Sequence, residues 1–293
     1  MSHLLNVLRG FLMGSADVVP GVSGGTIALV LGIYERLIYA IRTGAGALSS
    51  LARGRILEAL DRAKAIEWRF LAPLLAGIGL AIVSLAALID HFLEEEPINT
   101  SAVFFGLVAS SIVVAWKLVK EWNVTRFATT AVVAVIAFIV LGLRSEELTD
   151  PTTVLFFGAG AIAIMAMILP GISGSFILLM FGMYEEVLAA VNDRDLAVIA
   201  VFGFGALISL ALFSTLLDRM LRGHHDTMMA GLIGLMAGSL RVLWPWPDGT
   251  DTANLSSPTD PLAAVLLAIA GFLVVVVISR IGGSIRYPVA SSQ

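Results

Sequence analysis

Hydrophobic positions run in long unbroken stretches, separated by short segments that carry most of the charge. Six stretches come near the ~20 residues that a membrane-spanning helix requires: about Phe70 to Phe92, Ile98 to Trp116, Phe127 to Leu143, Leu196 to Leu217, Met228 to Leu243 and Pro261 to Ile281. Two further segments, Leu4 to Tyr39 and Thr152 to Val191, read differently, each as two apolar arms hinged at a Pro-Gly pair. Such a pair folds as a re-entrant hairpin or as two broken spans, and the exposed backbone of the break favours insertion to the midplane. The pattern predicts an all-α polytopic membrane protein.

Composition agrees. Of 293 residues 58% are hydrophobic and 14% are charged, against about a quarter charged in soluble domains. The absence of cysteine excludes disulfides, thiolate chemistry and Cys-ligated metals, and no metal or cofactor is expected. A net charge of −4 without a basic stripe gives no reason to expect nucleic acid as a partner. Arg9 and Asp17 interrupt the first apolar stretch, and a Pro-Gly pair follows where a signal peptide would carry its cleavage site.

Loop charge sets the orientation. With both motif segments as hairpins, thirteen basic residues fall on one side: Arg42, Arg53, Arg55, Arg62, Lys64, Arg69, Lys117, Lys120, Arg126, Arg219, Arg222, Arg280 and Arg286. Only Arg144 and Arg194 fall on the other, where Glu94 to Glu96, Glu146, Glu147, Asp150, Asp248 and Asp251 collect. The positive-inside rule makes the basic side and both termini cytoplasmic. The linker from Ile41 to Trp68 reads as an amphipathic helix on that face, with apolar Leu51, Ile56, Leu57, Leu60 and Ile66, its basic residues favouring anionic headgroups.

One motif occurs twice. Pro20-Gly21-Val22-Ser23-Gly24 returns as Pro170-Gly171-Ile172-Ser173-Gly174, and Ile27, Leu29, Gly32, Tyr34 and Glu35 are matched by Ile177, Leu179, Gly182, Tyr184 and Glu185 at the same spacing of 150. Gly106-Leu107, Ala109, Ser111 and Trp116 are echoed by Gly234-Leu235, Ala237, Ser239 and Trp244 at a spacing of 128, because the basic linker of the first half shrinks in the second. The halves, residues 1–150 and 151–293, then match as hairpin plus three spans. Three is odd, so the second half is inverted relative to the first, an arrangement suited to alternating access at a midplane site. The alternative is a duplicated membrane scaffold without transport.

The motif suggests an anion site. Pro20-Gly21 and Pro170-Gly171 are hinges, after which Gly24, Gly25 and Thr26 open a helix whose first N–H groups lack intrahelical partners. Ser23 adds a hydroxyl, and Ser173, Gly174 and Ser175 repeat the cradle from the opposite side. The alternative is a kink with each serine capping its own turn. Asp17 approaches the midplane, where a carboxylate is costly, and is a candidate proton carrier; its counterpart is Met167. Glu35 and Glu185 lie twelve residues beyond Ser23 and Ser173, about 18 Å along a straight helix. Tyr34-Glu35 and Tyr184-Glu185 therefore read as interface anchors or gates, with Arg36 the ion-pair partner of Glu35. Arg241, at the outer end of an apolar stretch, is a candidate for attracting a lipid phosphate, and His224 and His225 read as solvated.

The run Gly14-Ser15-Ala16-Asp17-Val18-Val19-Pro20-Gly21-Val22-Ser23-Gly24-Gly25-Thr26, with Gly32-Ile33-Tyr34-Glu35, resembles the PopT family of polyprenyl-phosphate transporters. Pro170 to Ser175, Gly182-Met183-Tyr184-Glu185 and Gly238-Ser239-Leu240-Arg241 are similar to the same family, so the resemblance covers nearly the whole chain. It implies movement of undecaprenyl phosphate from the outer to the inner leaflet, recycling the carrier of cell-wall synthesis. Two other classes compete. Undecaprenyl-pyrophosphate phosphatase carries a Pro-Gly-x-Ser-Arg-Ser motif, but here the arginine position is Gly24 and Gly174, so the cation that phosphoryl transfer needs is missing. A small-anion channel or exchanger would also use paired helix N-termini.

Overall fold

The computed structural model describes residues 2–19, 21–143, 145, 148, 151–248, 251–255 and 261–283. Within them the apolar runs become thirteen helices: α1 (Ser2–Asp17), α2 (Gly24–Val30), α3 (Tyr34–Ala52), α4 (Ile56–Lys64), α5 (Trp68–Glu95), α6 (Pro97–Trp116), α7 (Val124–Val140), α8 (Thr153–Ile168), α9 (Gly174–Met180), α10 (Tyr184–Asn192), α11 (Leu196–Gly223), α12 (His225–Ser239) and α13 (Pro261–Gly283). The starts have local causes. Pro97 opens α6, Asn123 accepts the Arg126 N–H at 2.9 Å to cap α7, and Asp195 accepts from Ala197 and Val198 to cap α11. The expected all-α architecture holds, with a small antiparallel ribbon of residues 247–248 and 251–255 between α12 and α13.

Four described helices, α5, α6, α11 and α13, are long and apolar enough to cross a membrane, so the chain is a polytopic membrane protein. The other two expected spans are shorter. Helices α7 and α12 have 17 and 15 residues, roughly 26 and 23 Å at 1.5 Å per residue, and α12 stops at Ser239 instead of running to Leu243. The motif segments also differ from two equal arms. Each second arm breaks again after seven residues, at Gly32 and Gly182, and α9 meets α10 at 114°. The straight-helix distance from Ser23 to Glu35 therefore does not apply. The basic linker is not one helix: its first part continues α3 to Ala52, its second is the short helix α4 folded back on α3, and Ile66 is buried.

Helix pairing follows the glycines. In lipid no hydrophobic force drives helices together, so close backbone approach and packing must do it. A Cβ on Gly10 would overlap the Leu74 carbonyl oxygen, and one on Gly77 the Val7 carbonyl, locking α1 to α5. Gly160 with Phe202 and Gly205 with Phe157 repeat this between α8 and α11, at the spacings of 150 and 128 read from sequence. Likewise Gly106 approaches Ala268 in the α6–α13 pair and Gly234 approaches Thr130 in the α12–α7 pair. If α6 corresponds to α12 and α7 to α13, exchanging the halves maps one pair onto the other.

Polar contacts define two faces. The α6–α7 and α11–α12 turns meet where Asp226 accepts the Glu121 N–H at 3.2 Å and pairs with Arg126 at 3.2 Å. Glu35, at the start of α3, reaches the same face through His225 Nε2 at 3.0 Å. At the other ends of α7 and α12, the Ser145 N–H donates to Met180 (2.9 Å), the Leu148 N–H donates to Gly182 (3.1 Å), and Trp246 packs on Ala102 and Ala264.

His225 is thus bound, not solvated. It bridges Glu35 and Asp226 at 3.0 Å each; the hydrogen bond it donates to Glu35 is the main cause raising its pKa above 6.5, and the same bond lowers that of Glu35 below 4.5. The sign follows for each partner. The His225 contribution is complete below pH 6.5 and lost as pH rises through its raised value, while that of Glu35 is complete above pH 4.5 and lost as pH falls. The tie is strongest between those limits. Thermal unfolding in detergent should show a melting temperature that declines above pH 6.5, and His225→Gln should flatten that decline; an identical slope in both proteins would show the tie to be irrelevant.

Candidate functional site

The two motif breaks lie against each other. Gly21 and Gly171 turn at φ +85° and +91°, a left-handed conformation that a side chain resists; Gly171 backs onto the end of α12 and Gly21 onto the turn after it. A Cβ on Gly21 would lie 2.6 Å from Val242 Cγ1, and one on Gly171 2.8 Å from Met236 Cα and 2.9 Å from Ser239 Oγ. Pro170 belongs to the described turn; Pro20 lies outside the described residues.

Helix α8 ends at this turn with orphan carbonyls, and the first half supplies their donors. Ser23 Oγ donates to the Met167 carbonyl at 3.1 Å and the Tyr34 hydroxyl to the Ile168 carbonyl at 3.2 Å. The Gly171 N–H in turn donates to Thr26 Oγ1 at 2.8 Å. Ser23, Thr26 and Ser173 are 1%, 0% and 4% exposed, so the junction is sealed in this conformation. Tyr34 belongs to it: the interface position expected from sequence is replaced by a fully buried one.

The start of α2 departs from expectation in one respect. Its first N–H groups do have partners: Gly24 donates to Asp17 Oδ1 at 2.6 Å, Gly25 to Ser23 Oγ at 3.0 Å and Thr26 to the Ser23 carbonyl at 2.9 Å. A carboxylate of the chain itself occupies the positive end of the helix. In α9 no side chain caps the start, and Ser173 Oγ instead pairs with Ser175 Oγ at 2.8 Å. Where Asp17 covers Gly24, Met167 covers Gly174: Cβ atoms there would lie 2.5 Å from Asp17 Oδ2 and 2.7 Å from Met167 Cγ. The geometry repeats and the charge does not.

The remaining candidates lie elsewhere. Glu35 is on the basic face with His225 and is not paired with Arg36, which pairs with Glu67 at 2.6 Å and stacks on Phe70 at 4.1 Å. Tyr184 is half-buried and Glu185 exposed. Arg241 sits in the turn after α12, not within a span; its Nη1 donates to the Phe138 carbonyl at 3.4 Å near the end of α7, and its guanidinium lies over the Phe138 ring and beside Gly142. Arg9, which in sequence stands out only as an interruption of the first apolar stretch, is 4% exposed in α1 and bonded to Asn6 at 3.2 Å, and a charge inside an apolar helix is itself a signal.

The model of the undecaprenyl phosphate translocase-like family matches residues 13–260, a region that includes both breaks, the α8–α11 and α7–α12 contacts and Arg241. The chain belongs to this family. It is 40% identical to the polyprenyl-phosphate transporter of Vibrio cholerae over 85% of this chain and 80% of that one. It is 34% identical to the polyprenyl-phosphate transporter of Staphylococcus aureus over 94% and 96% of the two chains. No solved structure matches it.

Proposed function

We propose that the protein carries a polyprenyl phosphate, undecaprenyl phosphate in particular, across the plasma membrane from the outer to the inner leaflet, with the phosphate held where the two breaks meet. The observation that carries this reading is the contact of Ser23 and Thr26 with the Met167–Gly171 break. It places the start of α2 beside the broken segment that ends in the start of α9. Both relatives named above are called polyprenyl-phosphate transporters, which favours transport over hydrolysis, as does glycine at both motif positions where the phosphatase motif has arginine.

The two faces support inverted halves. The segment after α2 reaches the basic face at His225, while the end of α9 and the turn after it are bonded to Ser145 and Leu148 at the opposite ends of α7 and α12. Rocking one half against the other would open the sealed junction alternately to each leaflet. The basic face and both termini are cytoplasmic in this scheme. Arg241 guides the phosphate at the outer side, and the tail stays in lipid between helices.

The cradle is asymmetric, and so is the proposed mechanism. Incoming phosphate first takes the uncapped start of α9 with Ser173, Gly174 and Ser175. It then competes with the Asp17 carboxylate for the Gly24 N–H, and Asp17 takes up a proton as it leaves. Return of the ionised carboxylate expels the cargo. Ser23→Ala plus Ser173→Ala should lower leaflet-resolved carrier transport by about 100-fold, on the order of two hydroxyl contacts at 1.5 kcal/mol each. Wild-type transport by a well-folded double variant would refute the cradle. Release of phosphate from the pyrophosphate lipid would support the enzyme instead, and inorganic-anion flux without lipid binding the channel.

A further inference from the structure

Helix α3 runs along α11, and α4 folds back over α3, leaving a groove of about 320 Å³ apart from the motif junction. Arg42, Arg53, Arg55 and Arg62 line it, and it continues past Thr215 to Arg219 and Arg222. Six arginines face two carboxylates, and both carboxylates are already engaged. Glu58 binds Arg62 at 2.9 Å and Arg55 at 3.5 Å; Asp218, 5% exposed, binds Arg222 at 3.0 Å and also Arg42. Arg53 and Arg219 have no ion pair among the described residues. The cations are positioned as well as numerous. The Arg62 guanidinium crosses α3 at Gly46, where a Cβ would lie 2.6 Å from its Nη1.

The depth of the groove points to its ligand. At its Ala211–Leu212 end it meets the spanning part of α11, with Leu212 69% exposed. At its Gly223 end, about 18 Å along the helix, it opens on the basic face. Leu48, Leu51, Ile56 and Leu57 are all exposed around the α3–α4 turn beside it, an apolar rim that belongs at the acyl boundary. Arginines framed by such a rim sit at the depth of lipid phosphates.

We propose that this groove is a headgroup site for an anionic phospholipid of the leaflet on the basic face, its acyl chains lying against α11 from Leu212. A soluble anion would satisfy the arginines but leave the apolar edge uncovered; a lipid covers both. The site is distinct from the motif junction and does not depend on what cargo is carried.

Native mass spectrometry of the full-length protein, released from micelles containing phosphatidylglycerol or phosphatidylcholine, tests this. Phosphatidylglycerol should be retained about tenfold more than phosphatidylcholine, and millimolar inorganic phosphate should not displace it. Arg53→Gln with Arg62→Gln should remove that preference. Ser49→Glu, at an exposed groove position, adds an opposing charge without deleting a cation and should do the same at an unchanged melting temperature. Equal retention of the two lipids, or wild-type retention in folded Ser49→Glu, overturns the site; displacement by inorganic phosphate overturns the lipid assignment.

Discussion

Replacing Asp17 with asparagine should make the protein bind undecaprenyl phosphate about tenfold more tightly and transport it at least about tenfold more slowly. The side chain keeps its shape and can still accept the Gly24 N–H, so the start of α2 remains capped. What disappears is the negative charge that competes with the phosphate. Two unit charges 4 Å apart repel by about 4 kcal/mol at an effective dielectric of 20, and part of this is relieved when Asp17 swings aside, so a gain near 1.4 kcal/mol is a conservative expectation. Tighter holding is paid back in slower release. Lipid titration of the purified protein and a leaflet-resolved flux assay measure the two effects separately. Unchanged affinity and flux would reduce Asp17 to a helix cap.

The second large effect is on folding. Gly77→Val and Gly205→Val should each destabilise the protein by about 3 kcal/mol, because a side chain at either position enters the backbone of the facing helix and only separation of the helices makes room. Equal losses are expected, since α1–α5 and α8–α11 make the same contact. Gly79→Val and Gly203→Val are the controls: nothing lies within 4 Å of a Cβ there, and both sit on the same two helices. Detergent unfolding of the four variants decides the matter. Loss of stability in the controls as large as in the test pair would mean that valine itself, not close approach, is the cause.

These two cases also mark what a single sequence can disclose. The matched spacings of 150 and 128 returned as matched contacts, because glycines that let helices touch must recur at the same height in each half. Of the basic residues assigned to one side, Lys120, Arg126 and Arg222 do gather near Glu35 and Asp226, while much of the acidic side lies outside the described residues. The second bend at Gly32 was missed although the glycine was visible, because apolar residues continue past it and hydropathy does not register a change of direction. The occupation of α2 by Asp17 was hidden for another reason: the carboxylate returns through a turn from seven residues upstream, outside any local capping pattern. The Glu35–His225 contact joins residues 190 apart, and no local spacing encodes it.

The hydroxyls of Ser23 and Tyr34 end on carbonyls of the other half, yet the donation is not returned in kind: Gly171 answers with a backbone N–H. The halves are therefore complementary parts and cannot be swapped. A chain built from two copies of residues 1–150 would carry a carboxylate over both motif glycines, and one built from two copies of 151–293 would carry it over neither. An aspartate over Gly24 and a methionine over Gly174 thus give two breaks of like geometry opposite electrostatic characters.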